Sequence, residues 1–246
     1  MSNESKEGLY DSQREALDME ITRGIHRIEG VRGANSYLVF TDVGSALVDT
    51  GMPGNEKRII EYVKGAGIEP KSLMYIVLTH PDIDHSGSVA KLKGLTDAKV
   101  VIHETDAPRL AGEKKLKEVK GATGVLFGVM RPFMRFTPVK PDVLLKDSDR
   151  ILDCTVIHTP GHTAGSISLY REKEAIFVGD ALRTDSRGMP RLPSGSMTAN
   201  IEQAKESVRK ISTYQYAALL PGHGPPITHD ASRVMADYVQ RGLAVQ

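Results

Sequence analysis

The sequence lacks features that mark several large classes of protein. Cys154 is its only cysteine, so no internal disulfide can form, and a reducing compartment is expected. Neither sign of charge is in excess, since 32 Lys and Arg residues stand against 31 Asp and Glu residues. General nucleic-acid-binding proteins carry a basic excess, so nucleic acid is not an expected partner.

Long apolar runs are missing as well. No run approaches the roughly 18 apolar residues of a membrane-spanning helix, so no membrane association is expected. The first 20 residues are polar and acidic and lack the apolar stretch of a signal peptide. We therefore expect a soluble, cytoplasmic protein. The 246 residues show no Gly/Ser/Pro-rich linker and no repeat, which favours a single domain over residues 1–246.

Short apolar runs bounded by turn residues predict a protein rich in strands. Helical patterns at 55–66, 201–212 and 232–241 separate or follow them, with Asn200 and Ser232 as expected N-cap residues. This arrangement predicts sheets with helices packed outside them. The eight predicted strands are Ser36–Phe40, Ala46–Asp49, Tyr75–Leu78, Lys99–Ile102, Thr155–His158, Ile167–Tyr170, Ala175–Val178 and Ala217–Leu220.

Residues 105–140 stand apart as an insert with two open interpretations. Its segment Val125–Phe136 holds three of the five phenylalanines and two of the nine methionines of the chain. The slightly favoured interpretation is a core or dimer-interface helix pair broken at Pro132. The alternative is an apolar cap over a substrate site, in which Arg131 and Arg135 face an anionic substrate.

Four short motifs place histidines and aspartates just past predicted strands, where loops commonly carry functional residues. HPDIDH spans His80–His85, TPGHT carries His162, VGD ends at Asp180, and PGH ends at His223. Each motif alone is weak, because a single histidine or aspartate in a turn is often a solvated loop residue. Their recurrence at four strand ends predicts a metal site, and the rigid Gly/Pro turns would hold its ligands in place.

This order of motifs, with DTG at Asp49–Gly51, resembles the metallo-β-lactamase-fold hydrolase superfamily from about Ile25 to Thr228. The resemblance implies an α/β (α+β) fold, a four-layer αββα sandwich with a dinuclear metal site at one edge of its two sheets. It also implies that Asp49 braces the ligand loop through hydrogen bonds. Position by position, it implies His80, Asp82 and His162 for one metal, Asp84, His85 and His223 for the other, and Asp180 bridging both.

Asp82 departs from the usual pattern of this superfamily, which has a histidine at that position. The flavodiiron branch also has a carboxylate there, normally glutamate. A carboxylate makes the centre less positive by one charge, which should raise the pKa of a metal-bound water. Oxygen ligands favour harder ions. We therefore expect two divalent metal ions, zinc by resemblance, with iron or manganese also compatible because of Asp82.

The resemblance implies a metal-dependent hydrolase that cleaves a small ester, lactone, thioester or phosphoester. In such enzymes a hydroxide held between two metals attacks the carbonyl or phosphoryl centre, and Asp84 would be the catalytic residue that orients it. The alternative is a di-iron oxygen- or nitric-oxide-reducing protein, favoured by Asp82 but lacking its own flavin domain. A non-catalytic relative is least favoured, because the ligand set is complete. A small-molecule substrate and a homo-oligomer are expected.

The remaining histidines carry no informative spacing. His158 is expected to be packed or to support the site rather than to bind metal. His26, His103 and His229 are expected at the surface or in local hydrogen bonds.

Overall fold

The computed structural model describes residues 20–115 and 136–243. Most of the expected cap or dimerisation insert, including Phe127, Arg131, Phe133 and Arg135, lies outside the described residues. Phe136 is described, and it packs, partly buried, against the first hydrophobic core. The single domain over residues 1–246 stays a prediction.

Two main sheets are formed by consecutive halves of the chain. The first has seven strands in the spatial order β1 to β7, antiparallel as far as β4 and parallel from β4 to β7. Its strands are β1 Glu20–Thr22, β2 Ile25–Arg27, β3 Tyr37–Thr41, β4 Gly44–Val48, β5 Tyr75–Val77, β6 Lys99–His103 and β7 Val143–Leu145.

The second half of the chain supplies another seven strands. They are β8 Arg150–Ile151, β9 Cys154–His158, β10 Ile167–Arg171, β11 Lys173–Gly179, β12 Arg183–Thr184, β13 Pro190–Arg191 and β14 Tyr216–Pro221. Five of them form the second sheet in the order β14-β11-β10-β9-β8, and β12 pairs with β13 separately. Strand β14 is parallel to β11, whereas the pairs β8/β9, β9/β10 and β10/β11 are antiparallel.

The described residues also form six α-helices. They are α1 Glu56–Gly65, α2 Ile83–Ser86, α3 Val89–Leu95, α4 Ala107–Leu110, α5 Ile201–Ser212 and α6 Ala231–Gln240. In the two described ranges, none of these helices has the length and apolar character needed to cross a membrane.

Alternation along the strands divides the buried side chains into three cores. Successive strand residues point to opposite faces of a sheet. On β3, Leu38 therefore packs against the helices α1 and α3, while Tyr37 and Val39 face the second sheet. On β11, Phe177 faces the first sheet and Ile176 faces α5 and α6. The layers thus run helix, sheet, sheet, helix, and the predicted αββα sandwich is confirmed.

The three predicted helices correspond to α1, α5 and α6 with bounds shifted by at most one residue, whereas the short helices α2, α3 and α4 were not predicted. Asn200 caps α5 as predicted, since its side chain accepts a hydrogen bond from the backbone N–H of Gln203. The predicted N-cap role of Ser232 is wrong, because α6 begins at Ala231. The Ser232 hydroxyl instead bonds the backbone N–H and C=O of Tyr216 at 2.6 and 2.7 Å. It therefore ties α6 to the start of β14.

Candidate metal centre

All four motifs lie at one edge of the sandwich, past the carboxyl ends of strands. The HPDIDH motif follows β5, His162 follows β9, Asp180 follows β11, and His223 follows β14. Within each sheet the strands concerned run in the same direction, so their carboxyl ends meet at the same edge. The fold therefore gathers residues from positions 80 to 223 into one place.

His80, Asp82 and His162 form the first of three donor groups. Their ligand atoms all lie within 4.8 Å of one another. His162 Nε2 lies 3.1 Å from Asp82 Oδ2, and His80 Nε2 lies 3.6 Å from the same oxygen. Both histidines are buried. These three are the residues that the resemblance assigns to one metal.

Asp84, His85 and His223 form the second group under the same distance limit. His223 Nε2 lies 3.2 Å from Asp84 Oδ2 and 3.3 Å from His85 Nε2. Helix α2 accounts for the placement of two of them, because its first turn carries Asp84 and His85 in succession. The backbone N–H of His85 bonds the carbonyl of Asp82 at 2.9 Å, which fixes that turn.

Asp180 lies between the two groups and belongs to a third, with His80 and His85. Its Oδ1 is 3.2 Å from His85 Nε2, and its Oδ2 is 3.4 Å from His162 Nε2. Oδ1 of Asp180 thus faces the second group, and Oδ2 faces the first. All seven predicted ligand side chains are therefore brought together, and Asp180 occupies the position that the resemblance describes as bridging.

A glycine makes this close approach feasible. Gly222 precedes His223, and a Cβ at that position would lie 2.6 Å from both Asp180 Oδ1 and His85 Cε1. Real Cβ atoms do not approach other atoms so closely, so any larger residue would displace the donors. The glycine of the PGH motif is thus required by packing against two donor side chains.

Asp49 supports the cluster from beneath through hydrogen bonds, as expected. Its Oδ1 accepts the backbone N–H of Thr79 at 2.8 Å, and its Oδ2 accepts the Thr79 hydroxyl at 2.8 Å. Asp49 Oδ2 also lies 2.8 Å from His85 Nδ1. A carboxylate only accepts, so His85 carries its proton on Nδ1 and presents Nε2 to the cluster. Asp49 has a φ of 57°, an uncommon conformation for a residue other than glycine.

The donors strongly perturb one another's ionisation. Burial raises the pKa of Asp180, but His85, His162 and His223 together outweigh burial and hold it well below the ordinary value. Burial lowers the pKa of His85, but Asp180 and Asp49 outweigh it and raise the net pKa well above the ordinary value. Asp180 is thus ionised, and a cation entering the cluster competes with the proton on His85.

The two more accessible donors follow the same pattern. Burial raises the pKa of Asp84, but the hydrogen bond with His223 and the charge of His85 bring the net pKa below the ordinary value. Burial lowers the pKa of His223, but Asp180 and the hydrogen bond with Asp84 raise it overall.

The chemistry of the donor set fits divalent cations. Imidazole nitrogens and carboxylate oxygens are ligands for zinc, iron and manganese. Within residues 20–115 and 136–243, the buried His80 Nε2 has no hydrogen-bond partner. A buried polar atom without a partner costs free energy, and a cation would satisfy it. The residues present therefore fit the metal ions that the sequence predicts.

Two histidines outside the donor groups, His26 and His103, are buried. His103 is stacked on His158, with ring centroids 4.2 Å apart and an interplanar angle of 9°. His26 lies on β2 and bonds the Tyr62 hydroxyl at 3.2 Å. His103 accepts a local hydrogen bond from the Thr105 N–H at 3.2 Å, which agrees with the expectation of a local bond. The expectation is wrong for His26, which is buried and whose partner Tyr62 lies 36 positions away. His158 is packed as predicted, and His229 is exposed.

The sequence profile of the metallo-β-lactamase superfamily matches residues 30–223, a range that contains all seven donor side chains. The chain belongs to the metallo-β-lactamase superfamily. Its αββα sandwich is the fold of that superfamily, as predicted.

Relatives within the superfamily include named hydrolases. The chain is 29% identical over 238 residues to the probable metallo-hydrolase YflN of Bacillus subtilis strain 168, covering 88% of this chain and 90% of YflN. It is 26% identical over 208 residues to the acyl-coenzyme A thioesterase MBLAC2 of Gallus gallus, covering 77% and 72% respectively. The prediction of a metallo-β-lactamase-superfamily hydrolase is confirmed.

A solved structure of the same superfamily fold holds iron. TTHA1623 in a di-iron-bound form matches this chain with a TM-score of 0.63 and 25% identity, covering 82% of this chain and 92% of TTHA1623. The superfamily binds divalent metals, and this chain has the donor groups to do so.

Two residues that hold the loops of the donor side chains, Asn35 and Asp106, were not predicted from the sequence. Asn35 donates from Nδ2 to the carbonyls of Pro221 and Gly224, on either side of His223. Asp106 accepts from the loop that follows His162. The only sequence signal for Asp106 is its place three residues past β6, at the same edge as the donor cluster.

Proposed function

We propose that the protein is a metal-dependent hydrolase that holds two divalent cations. The observation that carries this proposal is the position of Asp180, which directs one carboxylate oxygen toward each of two donor groups. Two cations bound there would turn water into a nucleophile and place positive charge beside the oxygen that becomes negative in the transition state. The residues in question are His80, Asp82, Asp84, His85, His162, Asp180 and His223.

The two donor groups differ in exposure, which suggests the side from which substrate enters. The side chains of Asp84 and His223 are 29% and 35% exposed, whereas the other five are 15% exposed or less. A small-molecule substrate would therefore reach the second group first. Ligand pockets carry a small number of polar groups that orient the ligand, and Asp84 and His223 would be two such groups.

Asp84 is the residue that we assign as catalytic. Hydrogen bonding to His223 and the charge of His85 keep its pKa below the ordinary value despite burial, so it is ionised at neutral pH. An ionised carboxylate beside the attacking water accepts its hydrogen bond and orients it toward the substrate. His223 Nε2 lies 3.2 Å from Asp84 Oδ2, so the two donors are placed side by side.

Asp82 bears on which metals are resident. Its carboxylate gives the first group two imidazoles and one terminal oxygen donor, and oxygen donors favour harder ions than imidazole does. We therefore propose that the site accepts iron or manganese as well as zinc. The di-iron form of TTHA1623 supports this, since it has the same fold at 25% identity.

Substrate class is proposed from the chemistry of the site. The seven donor side chains would be engaged with the cations, so water is the proposed nucleophile and the substrate needs an electrophilic carbon or phosphorus that water attacks. Small esters, lactones, thioesters and phosphoesters meet this condition. The likeness to the acyl-coenzyme A thioesterase MBLAC2 supports giving acyl thioesters the first place among them.

The test combines metal content with a substrate panel. Protein purified without added metal is analysed for zinc, iron and manganese and assayed on acyl thioesters, lactones, esters and phosphodiesters. We expect two metal equivalents and hydrolysis that chelation abolishes and metal restores. Asp84→Asn is expected to keep the fold and lower kcat by about 100-fold or more, the usual size of a general-base contribution.

The redox alternative is separated in the same experiment. Asp82 is the observation that favours a di-iron oxygen- or nitric-oxide-reducing protein. Oxygen or nitric oxide consumption under a reductant, with no hydrolysis of the panel, would replace the hydrolase proposal by that alternative. Protein that binds no metal would overturn both.

A further inference from the structure

Asp106 is a fully buried carboxylate that lies outside the seven donors. It is three residues past β6 and begins the turn into α4. Its Oδ2 accepts the backbone N–H of Gly165 at 3.1 Å and also the hydroxyl of Thr163. Its Oδ1 accepts from Arg109 Nη1 at 3.1 Å. A buried charge is tolerated only where it is satisfied in this way.

The loop that Asp106 holds is packed tightly onto it. A Cβ at Gly165 would lie 2.7 Å from Asp106 Cγ, so the backbone approaches the carboxylate closely. Ser166 Oγ lies 2.8 Å from the Thr163 hydroxyl and accepts the Thr163 N–H at 3.0 Å. The turn from Thr163 to Ser166 is thus closed on itself and fastened to Asp106.

His162 is the residue immediately before this turn. Its Nε2 lies 3.1 Å from Asp82 Oδ2, and its backbone carbonyl accepts the N–H of Ala199 at 3.2 Å. The carbonyl contact fixes the loop on the α5 side, and the bonds from Thr163 and Gly165 to Asp106 fix it on the β6 side. A shift of either anchor would move the imidazole out of the first donor group.

We propose that Asp106 is a positioning residue that, through Thr163 and Gly165, holds His162 in place for cation binding by the first donor group. This inference rests on the proposed function. Outer partners of metal ligands commonly change metal affinity by about 10- to 100-fold when they are replaced. The effect should be confined to the group that contains His162.

A different support holds the opposite side of the site and provides a matched comparison. Asn35 Nδ2 donates to Pro221 O at 2.9 Å and to Gly224 O at 2.8 Å, and the Asn35 N–H donates to Gly222 O at 2.7 Å. These contacts bracket His223, a member of the second donor group. Loosening Asn35 should therefore affect the other cation.

The experiment titrates metal-free protein with Co²⁺ alone and follows the Co²⁺ absorption spectrum. Wild-type protein is expected to bind two equivalents. Asp106→Ala removes both acceptor oxygens, so it should weaken one equivalent by about 10- to 100-fold and leave the other unchanged. Thr163→Val should do the same, whereas Thr163→Ser keeps the hydroxyl and should retain wild-type binding.

Assignment to a particular cation comes from combined variants. His162→Ala should weaken the same equivalent as Asp106→Ala, and adding Asp106→Ala to His162→Ala should cause no further loss. Asn35→Ala should weaken the other equivalent, and its effect should add to that of Asp106→Ala. Asp142→Ala is the structural control, because it removes an ion pair with Lys93 and a bond from the Val100 N–H.

The outcomes separate this inference from the proposed function. Wild-type protein that binds no Co²⁺ would overturn the proposed function and this inference with it. Two equivalents in wild type with unchanged binding by Asp106→Ala would overturn this inference alone. Equal weakening of both equivalents, or a further loss from Asp106→Ala in the His162→Ala background, would also overturn it. Thermal melting of each metal-free variant establishes that folding is retained. If Asp106→Ala does not fold, the comparison of Thr163→Ser with Thr163→Val decides.

Discussion

Asp49 accepts three hydrogen bonds, and each fixes part of the segment that carries four of the donor side chains. Two come from Thr79, next to His80, and one comes from the His85 ring. The third bond also keeps a proton on Nδ1, so Nε2 is the ring nitrogen left to bind a cation. A single buried carboxylate thus positions two ligands at once.

Replacing Asp49 by Asn tests this arrangement. The amide keeps the size of the side chain but presents an NH₂ group to one of three donors, leaving a buried polar group unsatisfied. We expect the free energy of unfolding to fall by about 1–3 kcal/mol and metal affinity to fall by about 10- to 100-fold. Chemical denaturation of the metal-free protein and metal titration measure the two effects separately. Unchanged stability together with unchanged metal affinity would show that these three hydrogen bonds do not hold the segment in place.

Cys154 is predicted to be unreactive toward thiol reagents in the folded protein. It is buried on β9, and burial together with nearby Asp153 raises its pKa to about 12. Only the thiolate reacts rapidly with disulfide reagents, so reactivity should be negligible at neutral pH. A thiol-reactive disulfide reagent should modify one cysteine in denaturant and none in the native state over the same time. Rapid labelling of native protein would contradict the buried position.

At the residue scale, the sequence predicted the seven donor residues but not Asn35 and Asp106, which hold their loops in place. Four donors stand together in the HPDIDH motif, and the other three lie in or beside short glycine-containing motifs, so the pattern is local. Asn35 and Asp106 act through contacts with Pro221 and Gly165, which lie 186 and 59 positions away in the chain. Such contacts depend on how the two sheets are arranged, and no spacing within either segment reveals them.

At the element scale, burial on both faces explains which strands were found. Strands such as β5, β6 and β11 are covered on both sides, so they read as continuous apolar runs. All eight predicted strands are present. Six were missed, namely β1, β2, β7, β8, β12 and β13, each of only two or three residues. Five of these lie at sheet edges or in the separate hairpin, where fewer side chains are buried and the apolar signal is weak.

Helix α5 offers a prediction at this scale. It packs against the second sheet, and its N-terminus lies beside the His162 loop through the bond from the Asn200 N–H to Gly161 O. Asn200→Ala removes the side-chain cap on the Gln203 N–H, so the free energy of unfolding should fall by about 1 kcal/mol. Asn200→Asp keeps an acceptor and should cost little. Equal effects of the two substitutions in denaturant titrations would show that the cap is not what stabilises the start of α5.

At the scale of the whole molecule, the donor cluster joins the two halves of the sandwich. His80, Asp82, Asp84 and His85 follow a strand of the first sheet, whereas His162, Asp180 and His223 follow strands of the second. Each donor group therefore takes ligands from both sheets. A cation bound by either group holds the sheets together, so metal binding and folding should be linked.

This linkage predicts a pH-dependent gain in stability on metal binding. A ligand present at 100 times its Kd stabilises the folded state by about 2.7 kcal/mol, so chelation should lower the Tm. In metal-free protein the raised pKa values of His85 and His223 mean that protons on these rings stabilise the fold. That contribution is fully present below the unfolded pKa of about 6.5 and is lost as pH rises through the folded pKa values.

Metal replaces the protons on His85 and His223, and it binds more tightly as these protons leave. The difference in Tm between metal-loaded and chelated protein should therefore widen as pH rises from about 6 to 9. Paired thermal melts over that range measure it, and a difference that stays constant or narrows would show that protons and metal do not compete for these histidines.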